Sequence, residues 1–461
     1  MTEIKKYWLP NGVYAFLINA VLFISGFAGF VLLVRFYDKS QFGAWALYLA
    51  VTSFADVARA GFVTNALVRY ASTQETKSEY SKVLSASLFL HILFTMILML
   101  LIYLIAPIVG RIWSSYEFYK LLMYYPIYAF CQIPFLYFSA IEQANLSFRN
   151  QYYSNLLRNT LFIGMIAYIV FSKYNFPVYH LPFLQSLAVI IGGVYLMIAN
   201  RKTIQISKEI DLKWLKKLID FGKYVFGSNV VSILFTNIDQ ILLGYFFNTK
   251  VVATYNTAMR IGNFSDIPMT SVASVVYPKS GQRFQIVGNK GLRHLYERSV
   301  GSILAFVIPA LIVLEIFAEP IVKFIATDAY LDAIPAVYII LLFSLFKPFI
   351  KYFGITVESL EKPHFNFNLM ITLLLFNLIL DLFLIPKYSL VGAAFGSLFS
   401  LIIGMIISLA ILKKLLDVRV KRIFKYTFSF YIEALEFIIF FNEYKDSFEE
   451  KIKKEHSDEN I

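Results

Sequence analysis

The chain has 461 residues, of which 58% are hydrophobic, 18% aromatic and 16% charged, and its mean hydropathy is +0.64. This composition excludes a water-soluble protein, because the long uncharged apolar runs leave no polar stretch that could build a globular core. The net charge of +12 is consistent with basic loops on one side of a membrane. The single Cys131 excludes a disulfide framework.

About twelve apolar segments predict an all-α polytopic membrane protein, because a run of about 20 such residues crosses the hydrocarbon as a helix. A membrane β-barrel would instead show short alternating segments. The predicted spans, in chain order, are 12–34, 41–60, 83–110, 118–140, 152–171, 181–199, 224–247, 251–277, 299–322, 333–353, 366–385 and 390–412.

The loops predict the orientation of these spans. Lys and Arg are about four times as frequent on the side of the N-terminus as on the opposite side, so both termini are predicted to be cytoplasmic. The same asymmetry explains the basic character without a nucleic-acid partner.

Residues 200–223 mix apolar and Lys residues and predict an amphipathic helix on the inner surface. The basic tail, 413–461, contains a run at 427–442 in which Glu433 and Glu436 favour an interfacial helix over a thirteenth span.

The two halves of the chain are predicted to be repeats. The segment from Arg35 to Trp45 aligns with that from Tyr245 to Tyr255, and Pro107 aligns with Pro320 at nearly the same offset. Six spans per half is an even number, so a parallel pseudo-repeat is expected, with a substrate site where the halves meet. The predicted lobes are 1–199 and 224–412.

The most informative charges lie in predicted spans seven and eight, because a charge at the bilayer centre costs about 2.5–3.5 kcal/mol and usually faces a cavity, a partner or a substrate path. Helical spacing places two polar stripes on these spans. The stripe of span seven consists of Ser228, Ser232, Thr236 and Asp239, and that of span eight consists of Asn256, Arg260, Asn263, Asp266 and Thr270. These stripes predict a water-accessible cavity wall, with Pro268 allowing span eight to bend. The alternative is a structural ion pair between Asp239 and Arg260.

Further charges lie in the other spans, and two of them, Arg158 and Lys347, are open to two interpretations each. Asp56 and Arg59 are three residues apart and are expected to pair. Arg158 lies with Asn155 and Asn159, and it either contacts an anion or extends to the inner interface. Lys347 lies beside Pro348 and reaches either an interior acid or a substrate. Glu315 and Asp381 are assigned structural roles near the outer rim.

The motif search argues against an enzyme. The five His residues are scattered, and the sequence contains neither an HExxH motif nor a glycine-rich phosphate loop. No external loop is long enough to form a catalytic domain. The sequence therefore predicts no cofactor, no bound metal and no direct use of ATP.

Several segments resemble one transporter family. RFYDKSQFGAWALYLAVTSFADVARAGFVTNALVRYAS resembles the first hairpin of polysaccharide repeat-unit flippases of the O-antigen and capsule type, and NIDQILLGYFFNTKVVATYNTAMRIGNF resembles their span seven–eight hairpin. VVYPKSGQRF and NLILDLFLIPKYSLVGAAFGSL are similar to their later signatures. The resemblance covers about residues 12–412 and extends to the superfamily of multidrug, oligosaccharidyl-lipid and polysaccharide exporters.

The resemblance implies a multidrug-exporter-like fold and alternating access by two six-helix lobes around a cationic cavity. It also implies a substrate of undecaprenyl-pyrophosphate-linked oligosaccharide, moved from the inner to the outer leaflet of a bacterial cytoplasmic membrane. Arg260 matches an arginine of the lipid II branch where the anionic head binds, and Asp239 matches the Asp that ends span seven in the family.

These considerations define the predicted site. The substrate-binding set is Arg260, Arg158, Arg59, Lys347, Asn256 and Asn263, and the coupling or gating set is Asp239, Asp266 and Asp56. The expected partners are the lipid-linked glycan, membrane lipid, a coupling H⁺ or Na⁺, and the polysaccharide polymerase complex. The alternatives are a cation-coupled drug or metabolite exporter of the same fold and, with less support, a repeat-unit polymerase or acyltransferase.

Overall fold

The computed structural model describes residues 2–72, 74, 76–145, 147–201, 207 and 210–432, and within these residues the fold is helical without strands. The predicted features at Glu433 and Glu436, and the extreme tail, lie outside the described residues. The helices are α1 (Thr2–Phe36), α2 (Lys39–Arg59), α3 (Asn65–Ala71), α4 (Lys77–Ile112), α5 (Tyr116–Ala144), α6 (Phe148–Phe171), α7 (Leu181–Asn200), α8 (Leu212–Phe246), α9 (Thr249–Gly262), α10 (Asp266–Val287), α11 (Asn289–Ile316), α12 (Ala318–Ile325), α13 (Ile334–Ser359), α14 (Pro363–Leu416) and α15 (residues 420–432). A π-helical turn, Ala60–Thr64, joins α2 to α3.

In the described part of the chain, 10 helical segments are long and apolar enough to cross a membrane. One of them, α14, has 54 residues and is interrupted at Ser389, which has φ 51° and ψ −131°. Pro386 lies just before the interruption, where it removes a backbone donor and crowds the preceding turn. The break falls between predicted spans eleven and twelve. The all-helical polytopic fold is therefore confirmed, while the count of twelve spans stays a prediction.

Predicted span eight is not one helix. It consists of α9, a 3₁₀ turn at Asn263–Ser265, and α10. The turn precedes Pro268, whose ring clashes with the carbonyl of the residue four positions earlier, Phe264. The expectation of a bend is thus correct, but the break lies before the proline and separates Asp266 from the helix that carries Arg260.

The chain forms two compact units. Unit 1 comprises residues 1–258, 320–336 and 374–396, and unit 2 comprises residues 259–319, 337–373 and 397–461. The lobes predicted from the repeat divide the chain by sequence halves, and that division stays a prediction.

Within unit 1, the two segments aligned as repeats begin their second helices in the same way. The Asp38 carboxylate accepts hydrogen bonds from the backbone N–H groups of Ser40 and Gln41 at 2.7 and 2.9 Å. The Asn248 side-chain oxygen accepts from Lys250 and Val251 at 3.0 and 3.2 Å. Both residues are N-caps, which satisfy donors that the first helical turn leaves unpaired. The predicted alignment therefore pairs positions with the same structural role.

The start of α8 packs against the first helices of unit 1. Trp214 and Leu218 are buried in an apolar cluster with residues of α3, α4 and α5. The Trp214 indole N–H donates to the Glu79 carboxylate at 2.7 Å. Protein therefore covers much of the apolar face that the sequence assigns to the membrane surface. The helix then continues without interruption into predicted span seven.

Gly43 marks a close approach of backbones in unit 1. A Cβ atom built on Gly43 would lie 1.7 Å from the carbonyl oxygen of Thr249, whereas one built on Gly164 of α6 would meet nothing within 4 Å.

We expect Gly43→Ala to destabilise the protein by about 1–3 kcal/mol, because the helix ends must separate. We expect the control Gly164→Ala to be neutral or to stabilise by up to about 1 kcal/mol, because alanine favours the helix. Thermal unfolding followed by the reactivity of Cys131 compares the two, and equal melting temperatures would refute the close approach.

Candidate functional site

Asp239, a residue of the predicted site, forms a buried pair with a second aspartate in unit 1. Asp239 of α8 is 4% exposed and Asp381 of α14 is 0% exposed. Their carboxyl groups lie within hydrogen-bonding reach of each other. In an interior of low dielectric, two adjacent carboxylates cannot both stay charged without a proton or a cation between them. The pair is therefore a site that can take up and release one positive charge.

Neutral polar groups surround this carboxylate pair. The Tyr255 hydroxyl of α9 donates to Asp239, and the Asn377 amide donates to Asp381 at 3.1 Å. Gly396 closes one side, since a Cβ atom there would lie 2.1 Å from Asp381 Oδ1. Oxygen-rich surroundings of this kind suit a proton or a hard cation such as Na⁺. Among the described residues there is no group of three or more His, Cys, Asp and Glu side chains that could hold a metal.

Sequence reasoning placed Asp239 in the site but missed Asp381, to which it assigned a structural role near the outer rim. The available signal was Asn377, one helical turn before Asp381 in an otherwise apolar span. Another predicted residue, Asn256, donates its amide to Gln240 at 3.1 Å, so it ties α9 to α8 beside the carboxylate pair.

A second polar cluster in unit 1 surrounds Arg59. Its side chain forms the expected ion pair with Asp56, so that prediction is confirmed. The guanidinium also donates to the Gln132 side chain and, at 3.1 Å, to the Ala129 carbonyl oxygen of α5. Arg59 is completely buried, while the Asp56 side chain is 33% exposed. These contacts make Arg59 a connection between α2 and α5, with positive charge adjacent to a partly accessible carboxylate.

Arg158 of α6 has a different environment. Its guanidinium lies over the Phe135 ring of α5, 4.3 Å from the ring centroid, and contacts the Asn155 side-chain oxygen at 3.4 Å. Among the described residues, no carboxylate lies within ion-pair distance of Arg158. Stacking on an aromatic face fixes a guanidinium without neutralising it. Arg158 is therefore the cation of unit 1 best suited to meet an external anion.

In unit 2, Lys347 of α13 joins two predicted site residues. Its ammonium donates to the Asn263 side-chain oxygen at 2.7 Å and forms an ion pair with Asp266 at 3.1 Å. Of the two possibilities for Lys347, the structure shows the contact to an interior acid. The pair is half accessible, because the Asp266 side chain is 43% exposed.

Arg260 lies in the last turn of α9, where a cation interacts favourably with the negative end of the helix dipole. Its side chain is exposed. The neighbouring Gly262 packs tightly on α13, since a Cβ atom there would lie 2.2 Å from Ile340. This packing anchors the end of the helix that presents Arg260.

The predicted stripes do not share one environment. On α8, Ser232 and Thr236 are exposed while Asp239 is buried. The side chain of Ser228 lies outside the described set. Asp239 belongs to unit 1 and Arg260 to unit 2. Helical spacing identified a polar face correctly, but burial along that face depends on which helices cover it.

Helices able to span a membrane, with buried charges between them, define a polytopic membrane protein. The chain belongs to the family described as polysaccharide biosynthesis protein, whose model matches residues 32–335. An uncharacterized membrane protein of Methanocaldococcus jannaschii is 25% identical over 84% of this chain and 80% of its own length. A probable flippase of Haloferax volcanii, AglR, is 24% identical over 43% of this chain and 42% of its own length.

Solved structures share the fold. The lipid II flippase MurJ in an inward closed conformation superposes with a TM-score of 0.73 at 18% identity, over 94% of this chain and 93% of that one. An inward-facing multidrug MATE transporter gives a TM-score of 0.72 at 14% identity, over 86% of this chain and 95% of that one. The family match and the probable flippase among the relatives confirm the predicted membership among polysaccharide flippases, and they indicate a transporter rather than an enzyme. The two solved structures show that the chain shares their fold.

Proposed function

We propose that the protein is a flippase for lipid-linked oligosaccharides, which moves the phosphate-bearing head group of its substrate across the membrane by alternating access. The observation that carries the proposal is the presence of cationic side chains on spanning helices of both units, within a family of polysaccharide biosynthesis proteins. A phosphate or pyrophosphate needs fixed positive charge in a low-dielectric site. An undecaprenyl-pyrophosphate-linked repeat unit, as in O-antigen or capsule synthesis, meets this requirement.

The proposed roles follow from accessibility. Arg260 is exposed and Arg158 has no carboxylate partner among the described residues, so we propose that each of them contacts the anionic head group during its movement. Arg59 and Lys347 are paired with Asp56 and Asp266, and they add positive potential while setting helix positions. Asn256 and Asn263 provide further polar contacts.

We also propose that the Asp239–Asp381 pair couples transport to an ion gradient. Entry of one H⁺ or Na⁺ would lower the charge of the pair from −2 to −1, and its exit would leave two like charges that favour a different packing of α8 and α14. The partly exposed carboxylates Asp56 and Asp266 act in gating, since each can exchange its basic partner for water.

The proposed setting is a bacterial cytoplasmic membrane with both termini in the cytoplasm and transport from the inner to the outer leaflet. The basic loops support this orientation. The polysaccharide polymerase complex is the proposed downstream partner, because it uses the translocated repeat unit.

The alternative with a specific observation in its favour is a cation-coupled exporter of the same fold. The buried carboxylate pair supports it, because such exporters also require an interior acid. The unneutralised Arg158 opposes it, since a cationic drug would be repelled. The two functions therefore differ in the charge of the molecule that is moved.

Reconstitution of the purified protein distinguishes these functions. Liposomes would contain a fluorescent polyprenyl-pyrophosphate oligosaccharide, and an impermeant quencher would report the fraction in the outer leaflet. We expect protein-dependent movement of this lipid and no efflux of ethidium under H⁺ or Na⁺ gradients. Ethidium efflux without lipid movement would replace the flippase by the exporter.

A further inference from the structure

The C-terminal helix α15 packs along α11 of unit 2 in a fixed parallel register. At its start, Asp417 pairs with Arg293 at 3.4 Å. Further along, the backbone N–H of Arg419 donates to the Glu297 carboxylate at 3.0 Å. At its end, the Tyr431 hydroxyl donates to the Ala305 carbonyl oxygen at 2.7 Å. Residue numbers rise together on both helices, so α15 runs in the same direction as α11.

The middle of the contact is close and includes a buried charge. Glu297 is 1% exposed and lies 3.7 Å from the Arg422 guanidinium. A Cβ atom built on Gly301 would lie 2.8 Å from Tyr426 and 2.9 Å from the Ile423 carbonyl oxygen. A buried carboxylate that holds a backbone donor and an arginine is costly to separate, so α15 is fastened to α11 along its length.

The charged residues of the two helices stop at the same level. The last charged residue of α11 before the apolar run of its span is Arg298, and the last of α15 within the described residues is Lys425. From Arg298 to Ala305 the rise is about 10 Å, at 1.5 Å per residue. With a hydrocarbon layer of about 30 Å that begins at the level of these last charges, Tyr431 lies about a third of the way through it.

Beyond Lys425, the face of α15 turned away from α11 is apolar, and its large side chains Phe428 and Ile432 are 66% and 59% exposed. Contiguous exposed apolar surface of this kind marks contact with another molecule or with lipid. The exposed basic residues Arg419, Lys421 and Lys425 lie only in the first part, as expected where a helix crosses the head-group region.

We propose that α15 is a membrane-embedded helix, with Phe428 and Ile432 in the hydrocarbon and a basic collar at Arg419, Lys421 and Lys425 that binds anionic lipid head groups. The partner of its exposed face is lipid acyl chains. This proposal differs from the prediction of an interfacial helix at 427–442, because it places residues 428–432 in the bilayer beside α11. Its register on α11 carries this inference, and a surface-lying helix would not reach Ala305.

Thiol accessibility tests the proposal in the purified full-length chain. Cys131→Ser provides a cysteine-free background, to which Lys421→Cys, Phe428→Cys or Ile432→Cys is added. Each variant is placed in nanodiscs of anionic phospholipid and treated with a membrane-impermeant maleimide. We expect Phe428→Cys and Ile432→Cys to react about tenfold or more slowly than Lys421→Cys, because a thiol in hydrocarbon does not ionise. Phe306→Cys is the control for a thiol in contact with lipid, because Phe306 lies on α11 and is 50% exposed at the protein surface.

Labelling of Phe428→Cys and Ile432→Cys as fast as that of Lys421→Cys would overturn the proposal, provided that Phe306→Cys stays slow. Using two deep positions protects the test against one variant that fails to fold. Besides the scaffold protein at their rim, the nanodiscs contain no other protein, and a larger disc that keeps the rim distant should give the same slow labelling if lipid covers this face. In nanodiscs of neutral lipid, we expect Lys421→Cys to react faster, because head groups no longer bind the collar; an unchanged rate would refute the collar.

Discussion

Asp381→Asn is expected to lower ion-driven transport by about tenfold or more, within the range of typical coupling free energies between sites. Asparagine keeps the size of the side chain but cannot exchange a proton or neutralise a cation beside Asp239. In reconstituted liposomes, imposing a pH gradient and a Na⁺ gradient separately identifies the ion. We expect the wild type to respond to one of the two gradients and the variant to neither.

Glu142→Gln is the matched control for this experiment. Glu142 is also a buried carboxylate of unit 1, 2% exposed, but it accepts amide hydrogen bonds from Asn150 and Asn200 at 2.9 and 2.6 Å. Among the described residues, no second carboxylate is a hydrogen-bond partner of Glu142, so ion-driven transport should persist in the control. Coupling through the aspartate pair would be disproved by an Asp381→Asn protein that still responds fully to the gradient.

Arg260→Ala is expected to reduce lipid-linked oligosaccharide movement by about tenfold or more, the effect of losing one charge-assisted contact of about 1.5–3 kcal/mol. Arg260→Lys should retain part of the activity, because it keeps the charge and loses the two-pronged geometry. Since Arg260 is exposed, the melting temperature should change little. Full activity of Arg260→Ala at normal protein levels would exclude it as the pyrophosphate ligand.

Arg59→Ala should behave differently, although it also removes one arginine. Arg59 is completely buried and contacts Asp56, Gln132 and the Ala129 carbonyl oxygen. Removing it leaves these groups without their donor and should cost about 3–5 kcal/mol of stability. Unfolding in detergent, measured beside transport, therefore separates an arginine that binds substrate from one that holds helices together.

Periodicity and local spacing account for the features that sequence analysis found. The membrane spans follow from apolar run length, and the Asp56–Arg59 pair follows from helical spacing alone. A charge inside a span is conspicuous because it is costly, which is how Asp239 and Lys347 entered the predicted site.

Long-range pairings account for what sequence analysis missed. The role of Asp381 can be recognised only once the fold places it beside Asp239. The partners of Lys347, Asp266 and Asn263, lie 81 and 84 positions away in the sequence. Glu297 resembles an ordinary loop charge in the sequence, yet it is the buried acid that fastens α15. The spacing of residues along one helix does not reveal which other helices pack against that helix.

The π-helical turn at Ala60–Thr64 has a consequence for comparing this protein with distant relatives. A π turn accommodates one more residue than an α turn, and one residue corresponds to a rotation of about 100° around a helix. Buried Arg59 precedes the turn, and buried Leu67 follows it. In a homologue that lacks the extra residue, the positions equivalent to Arg59 and Leu67 can both be buried only if the sequence alignment has a one-residue gap at this turn. Alignments should therefore be anchored separately on each side of the turn before an arginine is judged conserved or lost.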